Sequence, residues 1–368
     1  MTGQKVILTA AMKTKPSTPT TTTATTVGID LGDRKHAICA LDRDGNILKE
    51  NSIPNTREAL EELSVTHPTA VMVMEVGMNS PWISRLLKGF GHKVLVANPR
   101  KVRAIYANVR KCDRKDAEML ARLARCDEKL LHPIEHSSEQ AQRDLLRIKL
   151  RDNLVRQRVD VISAVRFTLK SMGIRLRSPM TTCFARHACR TLAAAHPGTL
   201  ELIAPSLLVL DAMTMQIREL EKAIEKLAAE SYPQTQLLQS ITGIGTITSL
   251  AFVLTIGDPK RFERTRDVAA YLGLVPKRDQ SGDTDKQLRI SKAGDKYLRR
   301  LLVSAAQYIL GPFGPDCDLK QMGMRLAERG GQRAKKKAVV AVARKLSVVM
   351  LSLLRNEAAY QPERRLAA

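Results

Sequence analysis

Two aspartates three residues apart, in Asp113-Arg114-Lys115-Asp116, open an apolar pattern of helical period: Ala117, Leu120, Leu123 and Ala124. Positions three apart lie on one helix face, so Asp113 and Asp116 point the same way at the start of a predicted helix. Between Ala97 and Cys126 nine Lys/Arg stand against three Asp/Glu. Paired carboxylates inside a basic surround suit one chemistry well, holding a divalent cation beside a polyanion. The same residues also serve a plainer end, with Asp113 as helix cap and Asp116 against the positive end of the helix dipole.

Two more carboxylates sit at the tips of predicted strands. Val27-Gly28-Ile29-Asp30-Leu31-Gly32 reads as a buried strand carrying Asp30. The run from Ala70 to Gly77 is nearly all apolar, as in a strand buried on both faces, and ends in a single charge, Glu75. Such a carboxylate is costly unless it is paired, exposed at the sheet edge or holding metal. The elements around these residues follow from period and turn chemistry. Lys35 to Asp42 is a second strand, Asp42 to Gly45 a turn, and Asn46 to Glu50 a third strand closing an antiparallel meander. A helix over roughly 56–65, the Glu75 strand, a helix over roughly 81–90 and a strand over 93–97 precede the basic loop and the Asp113 helix. This order predicts an α/β domain.

The 368 residues suit two or three domains. Lys+Arg is 60 and Asp+Glu 37, a formal charge of +23, which is the electrostatic footprint of a polyanion binder, most simply of nucleic acid. No uninterrupted apolar run reaches bilayer length and no secretory signal is legible, so a cytoplasmic protein without a membrane partner is expected. The six cysteines form no CxxC pair, which argues against zinc. Aromatic residues make up 4%, so stacking on single-stranded bases is not a leading theme.

Residues 1–26 are Thr-rich and are expected to be a disordered tail. From about 133 to 232 the chain turns helical. Val155, Val159, Ile162, Val165 and Leu169 form one stripe. Leu210, Met213, Ile217, Leu220, Ile224 and Leu227 alternate steps of three and four, a coiled-coil seam. Between them, Gly173 to Pro205 reads as an irregular connection. An arm of this kind sets the spacing of two domains or two subunits.

Beyond it, residues 238–250 resemble a helix-hairpin-helix, with Gly243 and Gly245 permitting a tight turn before a helix whose first N–H groups suit a phosphate. An ordinary helix–helix turn fits the same glycines. Ser281 lies in a polar loop before Gly282, with Lys277, Arg278, Lys286, Arg289 and Lys292 nearby. Ser291 reads as the cap of a helix beginning near Asp295 and as a phosphate contact. Lys335, Lys336 and Lys337 precede an apolar helix over 338–354, and residues 356–368 read as a flexible tail.

Gly28-Ile29-Asp30-Leu31-Gly32, Met74-Glu75-Val76-Gly77, Ala97-Asn98-Pro99 and Asp113 to Ala117, in this order, resemble the four-carboxylate set of RuvC-like junction resolvases. More narrowly, the chain resembles the DEDD transposases of bacterial insertion sequences, a family that includes recombinases guided by a bridge RNA. The stretch 237–310 is similar to that family's C-terminal domain. The resemblance implies a fold of α/β plus all-α type: a ribonuclease H-like (RuvC-like) domain over 27–132, a coiled-coil arm over 133–232, and a mostly helical transposase domain over 233–355. It implies Asp30, Glu75, Asp113 and Asp116 as catalytic metal ligands for Mg2+, and Ser281 as a nucleophile forming a phosphoserine link to DNA. It further implies a guide RNA and a homo-oligomer, dimer or tetramer, that completes the active site between subunits. After the serine, Asp283, Thr284 and Asp285 depart from the family's glycine- and lysine-rich stretch.

The expected nucleic-acid contacts are Arg100, Lys101, Arg103, Arg110, Lys111, Arg114, Lys115, Gly243, Gly245 and the lysines and arginines named around Ser281 and at 335–337. Two other readings fit the same residues: a resolvase-like metal-dependent nuclease in which water attacks, and a non-catalytic nucleic-acid scaffold.

Overall fold

A computed structural model describes residues 25–102, 112–177, 180–281 and 284–362, with residues 279, 281 and 284–287 described by their backbone alone. The chain divides into two compact units, residues 1–136 and 137–368.

The first unit is built on strands β1 (Thr26–Asp30), β2 (Lys35–Leu41), β3 (Ile47–Pro54), β4 (Val71–Glu75) and β5 (Val94–Ala97). They form one sheet in the order β3-β2-β1-β4-β5. β1 to β3 are antiparallel, and β4 and β5 run parallel to β1. Its helices are α1 (Arg57–Thr66), α2 (Ser80–Gly89) and α3 (Asp113–Cys126). The sequence determines these locally. Asp42 Oδ1 accepts from the N–H of Asp44 and of Asn46, both at 2.8 Å, and Gly45 takes φ +90°, closing the β2–β3 turn. The Thr56 hydroxyl caps α1 by accepting from Ala59 N at 3.3 Å.

Strand alternation sorts the sheet's two faces. Val27, Ile29, Met72 and Met74 pack with Leu60, Leu63, Ile83 and Leu87 from α1 and α2. On the opposite face Val73, Leu95 and Ala97 pack with Leu120 and Ala124 of α3, and Cys39 and Leu41 with Ala117 and Ala121. Burial on both faces is why β4 reads as continuous apolar sequence. Gly28 is the point of closest approach: a Cβ there would lie 2.0 Å from the Ala117 carbonyl oxygen.

Among its described residues the second unit is helical apart from one hairpin and connecting turns. Its helices are α4 (Glu139–Ser171), α5 (Phe184–Ala195), α6 (Pro197–Ser231), α7 (Thr235–Gln239), α8 (Thr246–Ile256), α9 (Asp267–Tyr271), α10 (Lys296–Leu310), α11 (Asp318–Ala327) and α12 (Gly331–Asn356). Strands β6 (Pro276–Ser281) and β7 (Thr284–Ile290) pair antiparallel. The expected seam is present within one chain: α4 and α6 run antiparallel, with Arg151 bonded to Glu221 and Arg158 to Thr214. Leu210, Ile217 and Ile224 are buried along it. At its base Ile148, Ile224 and Ala228 share a core with Leu250, Phe252, Leu298 and Leu346. α8 is apolar on every side because it is the centre of that core.

Several expectations are corrected. The stretch 173–205 is not an irregular connection: it holds α5 and the first turns of α6, with Pro197 in the first turn of α6 and Pro205 inside the helix. Ala-rich packing under Phe184 and Leu192 outweighs the proline signals. Val159 is not in the buried stripe of α4, since Arg158 occupies that position and Val159 is 42% exposed. Ser291 is not the cap of α10; Asp295 is, accepting from Leu298 N at 2.7 Å. Lys335 to Lys337 lie inside α12 rather than before it. Among the described residues one helix, α6, is long and apolar enough to cross a membrane by length and composition, where the sequence reading found no such run. Its stripe at Ile203, Leu207 and Leu210 packs with Phe184, Leu192 and Leu169. The tail expected after Arg355 is held as far as Tyr360, whose N–H donates to Ser240 Oγ at 2.9 Å and whose phenol donates to Asp318. Of the segment 1–26 expected to be disordered, residues 1–24 lie outside the described residues, whereas Thr25 N donates to Leu41 O at 2.9 Å and Thr26 opens β1.

Gly28→Ala is expected to cost about 3 kcal/mol, since the new methyl meets backbone rather than a side chain that can swing away. Chemical denaturation reads this, and wild-type stability in the variant would refute the close packing. Burial also holds His36, His67 and His136 below the ordinary histidine pKa. A histidine kept neutral in the fold gains its proton only on unfolding once the pH drops below about 6.5. Stability from these groups is therefore full at pH 7.5 and falls towards pH 5. A melting temperature unchanged over that range would contradict it.

Candidate active-site edge and nucleic-acid surfaces

Asp30 and Glu75 stand at one end of the sheet, towards which the start of α3, with Asp113 and Asp116, points. Asp30 is the last residue of β1 and Glu75 the last of β4. The parallel register pairs Ile29 with Met74, so Asp30 and Glu75 are lateral neighbours on strands about 4.8 Å apart. Alternation places both on the face that α3 covers, because Gly28 and Val73, two residues earlier, touch or pack on that side. α3 runs antiparallel to β1. Its last turns reach the β2–β3 turn, where Arg122 donates to Gly45 O at 3.1 Å and Arg125 to Arg43 O at 3.2 Å. The helix start therefore points to the carboxylate edge. Four helix residues before Ala117, about 6 Å, stands Asp113; two strand residues beyond Gly28, about 6.6 Å, stands Asp30. Asp116 is buried and Asp113 exposed, while Asp30 and Glu75 are half-buried.

Asp30, Glu75 and Asp116 are each engaged in a polar or electrostatic interaction within the chain. Among the described residues no group of three or more His, Cys, Asp or Glu is placed to hold a metal ion. The donor chemistry nevertheless suits a hard divalent cation, because the set is carboxylate oxygen throughout, with no thiol or imidazole among it.

The loops at this edge are fixed by residues the sequence reading missed. Asn79 Nδ2 donates to Gly32 O at 3.3 Å, and Asn55 Nδ2 donates to Asp33 O at 2.9 Å. His36, fully buried, donates from Nε2 to Asn55 Oδ1 at 3.0 Å. His136 meets the Ser80 hydroxyl at 2.9 Å, and that hydroxyl donates to Gly77 O at 2.8 Å. Both segments that follow the strand-tip carboxylates are thus tied down. The asparagines carried no signal of their own, since a turn asparagine reads as turn chemistry alone.

The other candidates lie in separate places. Arg100, Lys101, Arg114 and Lys115 are exposed in the first unit, while Arg103, Arg110 and Lys111 lie outside the described residues. In the second unit, α7 and α8 are joined by a turn in which Gly243 takes φ +95° and Ile244 N donates to Ile241 O at 3.0 Å. Gly245 begins α8 with no side-chain cap. Ser281 does not stand in a loop: it closes β6 and pairs with Thr284 across the hairpin. The two residues between the strands, Gly282-Asp283, are the kind of connection hairpins use, and that was the available signal. Lys277, Arg278, Arg289 and Lys292 are exposed along the hairpin and its root, and Lys286 lies on β7. Lys335 to Lys337 are exposed on α12.

The hairpin's root is a crossing of two backbone segments. Lys292 N donates to Gly273 O at 3.1 Å and Ser291 N to Val275 O at 2.8 Å. Gly273 and Gly294 take φ +69° and +68°; a Cβ on Gly294 would stand 2.0 Å from Tyr271 O. Only glycine combines that backbone with that clearance. Gly294→Ala is expected to destabilise the second unit by about 3 kcal/mol through strain and backbone overlap. Hydrogen exchange is expected to show loss of protection at 272–293 with the first unit unchanged; unchanged protection at the root would count against the crossing.

Comparison with known proteins fits this arrangement. Residues 27–174 match the family model of the DEDD transposases of IS110 type, described as a transposase. Residues 235–316 match the model described as the transposase IS116/IS110/IS902 family. The chain is 26% identical to the transposase for insertion sequence element IS1111A of Coxiella burnetii, over 91% of either chain. It is 27% identical to a probable family 20 transposase of Pseudomonas aeruginosa, over 91% of this chain and 98% of that one. A shorter match, 32% identical over 33% of this chain and 37% of its partner, is to a pilin gene-inverting protein of Moraxella lacunata. With both of its units matched by models of one group and its full-length relatives carrying the same name, the chain belongs to the IS110 family of DEDD-type insertion-sequence transposases.

Proposed function

We propose that this transposase cuts and exchanges DNA strands with two centres: a RuvC-like carboxylate edge formed by Asp30, Glu75, Asp113 and Asp116, and a nucleophile at Ser281. The observation that carries the reading is the placement of Asp30, Glu75 and the start of α3 at one end and on one face of the sheet. A set of four carboxylates without a thiol or imidazole would hold Mg2+ next to a phosphodiester. When bound, the cation supplies charge neutralisation at the phosphoryl oxygens. Asp116, buried in the first turn of α3, would be one of the ligands alongside Asp113.

Ser281 then attacks phosphorus: the Oγ–P bond forms, one phosphodiester P–O bond breaks, and the serine proton ends on the departing hydroxyl. The phosphoserine link keeps the energy of the broken bond for rejoining to a second strand. The serine has no histidine near it in sequence, so its activation falls to the carboxylate centre. The glycine turn between α7 and α8 acts as a helix-hairpin-helix, gripping backbone phosphate through the uncapped N–H groups of α8. Exposed cations at 100–101, 114–115, 277–278, 289, 292 and 335–337 supply the sequence-independent part of binding. Choice of sequence is delegated to a structured guide RNA, and a dimer or tetramer completes the site in the bacterial cytoplasm.

Incubation of the full chain with element-end DNA and Mg2+, followed by denaturing electrophoresis, is expected to show a protein–DNA adduct. Ser281→Ala is expected to abolish it, and Asp30→Asn or chelation of the metal to reduce it by at least about 100-fold, as for loss of a central electrostatic group. An adduct undiminished in Ser281→Ala dismisses the nucleophile. Free cleaved ends without adduct turn the reading to a hydrolytic nuclease.

A further inference from the structure

The root of the β6–β7 hairpin carries an arginine prepared for a partner that the described chain does not supply. Arg261 ends a short 3-10 turn, Pro259–Arg261, that Asp258 caps by accepting from Lys260 N at 2.8 Å. Its guanidinium carbon stands 4.9 Å from the Phe262 ring centroid and 4.6 Å from that of Tyr271. The two rings meet edge to face at 5.5 Å, so they form one platform. Phe262 is buried and the Tyr271 hydroxyl donates to Thr255 O at 3.5 Å, which anchors the platform to α8. Tyr271 also borders the crossing at Gly294.

Three neighbouring arginines are spent on the fold. Arg299 donates to Leu272 O at 2.8 Å and Ala293 O at 2.6 Å. Arg355 donates to Phe262 O at 3.2 Å, and Arg264 faces Asp267 at 3.5 Å. Arg261 differs. Among the described residues no hydrogen bond or ion pair uses its guanidinium, though the side chain is exposed and lies against two rings. A long cationic side chain normally loses rotamer freedom when it binds. Here the rings have already taken part of that loss, which leaves a rigid fork of donors facing solvent. A fork of this kind matches the paired oxygens of a phosphate. Exposed Lys260 stands beside it in sequence and exposed Lys292 at the adjoining crossing; of the nearby exposed carboxylates, Asp258 is engaged by Lys260 N and Glu263 lies two residues on.

We propose that Arg261, clamped by Phe262 and Tyr271, is a DNA-phosphate contact that seats the duplex at the root of the hairpin ending in Ser281. β6 has six residues, which at about 3.3 Å each puts its tip roughly 20 Å from the root. A phosphate fixed there would limit how the strand can approach the tip. The inference rests on the transposase reading above, and its test separates the two.

The full chain is titrated, in chelator so that no strand is cut, against a labelled duplex of an element end and against an RNA duplex of the same sequence, over a range of salt. Arg261→Ala is expected to weaken DNA binding about 5- to 10-fold and to lower the slope of log affinity against log salt by about one. Arg261→Lys keeps the charge, so the slope is expected to stay while affinity falls about 3-fold with loss of the fork and stack. Wild-type affinity and slope in Arg261→Ala overturn the proposal, as does a loss confined to the RNA probe. Should Arg261→Ala melt early, Arg261→Lys carries the comparison. A wild-type chain that binds neither duplex would sink the transposase reading itself rather than this contact alone.

Discussion

Backbone-to-backbone contact between α3 and β1 is the constraint on which the first unit depends. Without a side chain at Gly28 the helix comes down onto the strand, with Ala117 and Ala121 against it. That contact fixes how far the helix start projects past the strand tips, and hence where Asp113 and Asp116 stand relative to Asp30 and Glu75. A methyl group of separation would lift the helix and move both aspartates away from the edge. The cost of gathering like charges at one place is large in a low-dielectric interior. It is accepted here at the rim, where Asp30 and Glu75 are half-buried and the flanking segments are tied by Asn55, Asn79 and Ser80.

The second unit solves a related problem by different means. A two-stranded hairpin is marginal alone, and among the described residues β6–β7 has no third strand. Its order comes from the root, where two glycines with positive φ let the segments at 271–275 and 291–294 interlock. The root in turn stands on α8, α10 and the Phe262–Tyr271 pair. Tyr360 reaches back across the same unit to Ser240 and Asp318. Burial and the Asp318 carboxylate push that phenol far above its ordinary pKa, so it remains a donor.

Most of the α/β unit was legible from local pattern. The strand tips at Asp30 and Glu75, the turn at Asp42–Gly45 and the helix beginning at Asp113 each follow from period or cap chemistry acting over a few residues. Legibility failed where tertiary packing overrode local preference. Prolines at 197 and 205 predicted a break, but the faces of α5 and α6 had an apolar partner in α4. The Ser281 segment looked polar and irregular because a hairpin with exposed faces lacks the apolar alternation that reveals buried strands. Arg158 entered the buried stripe in place of Val159, its guanidinium reaching Thr214 and Thr181 at 3.4 and 3.3 Å.

Taken alone, then, the sequence determined the carboxylate identities, the strand–helix order that carries them, the charge that selects a polyanion, and the glycines at each tight place. Those properties are local or additive, and a residue keeps them wherever the chain goes. Tertiary structure alone decided that Asp30 and Glu75 share a face, that α3 runs antiparallel above them, and that Arg261 lies against the Phe262 and Tyr271 rings. These depend on which distant segments meet, and the pairing of Gly28 with Ala117 or of Arg261 with Tyr271 becomes visible only when burial brings the two together.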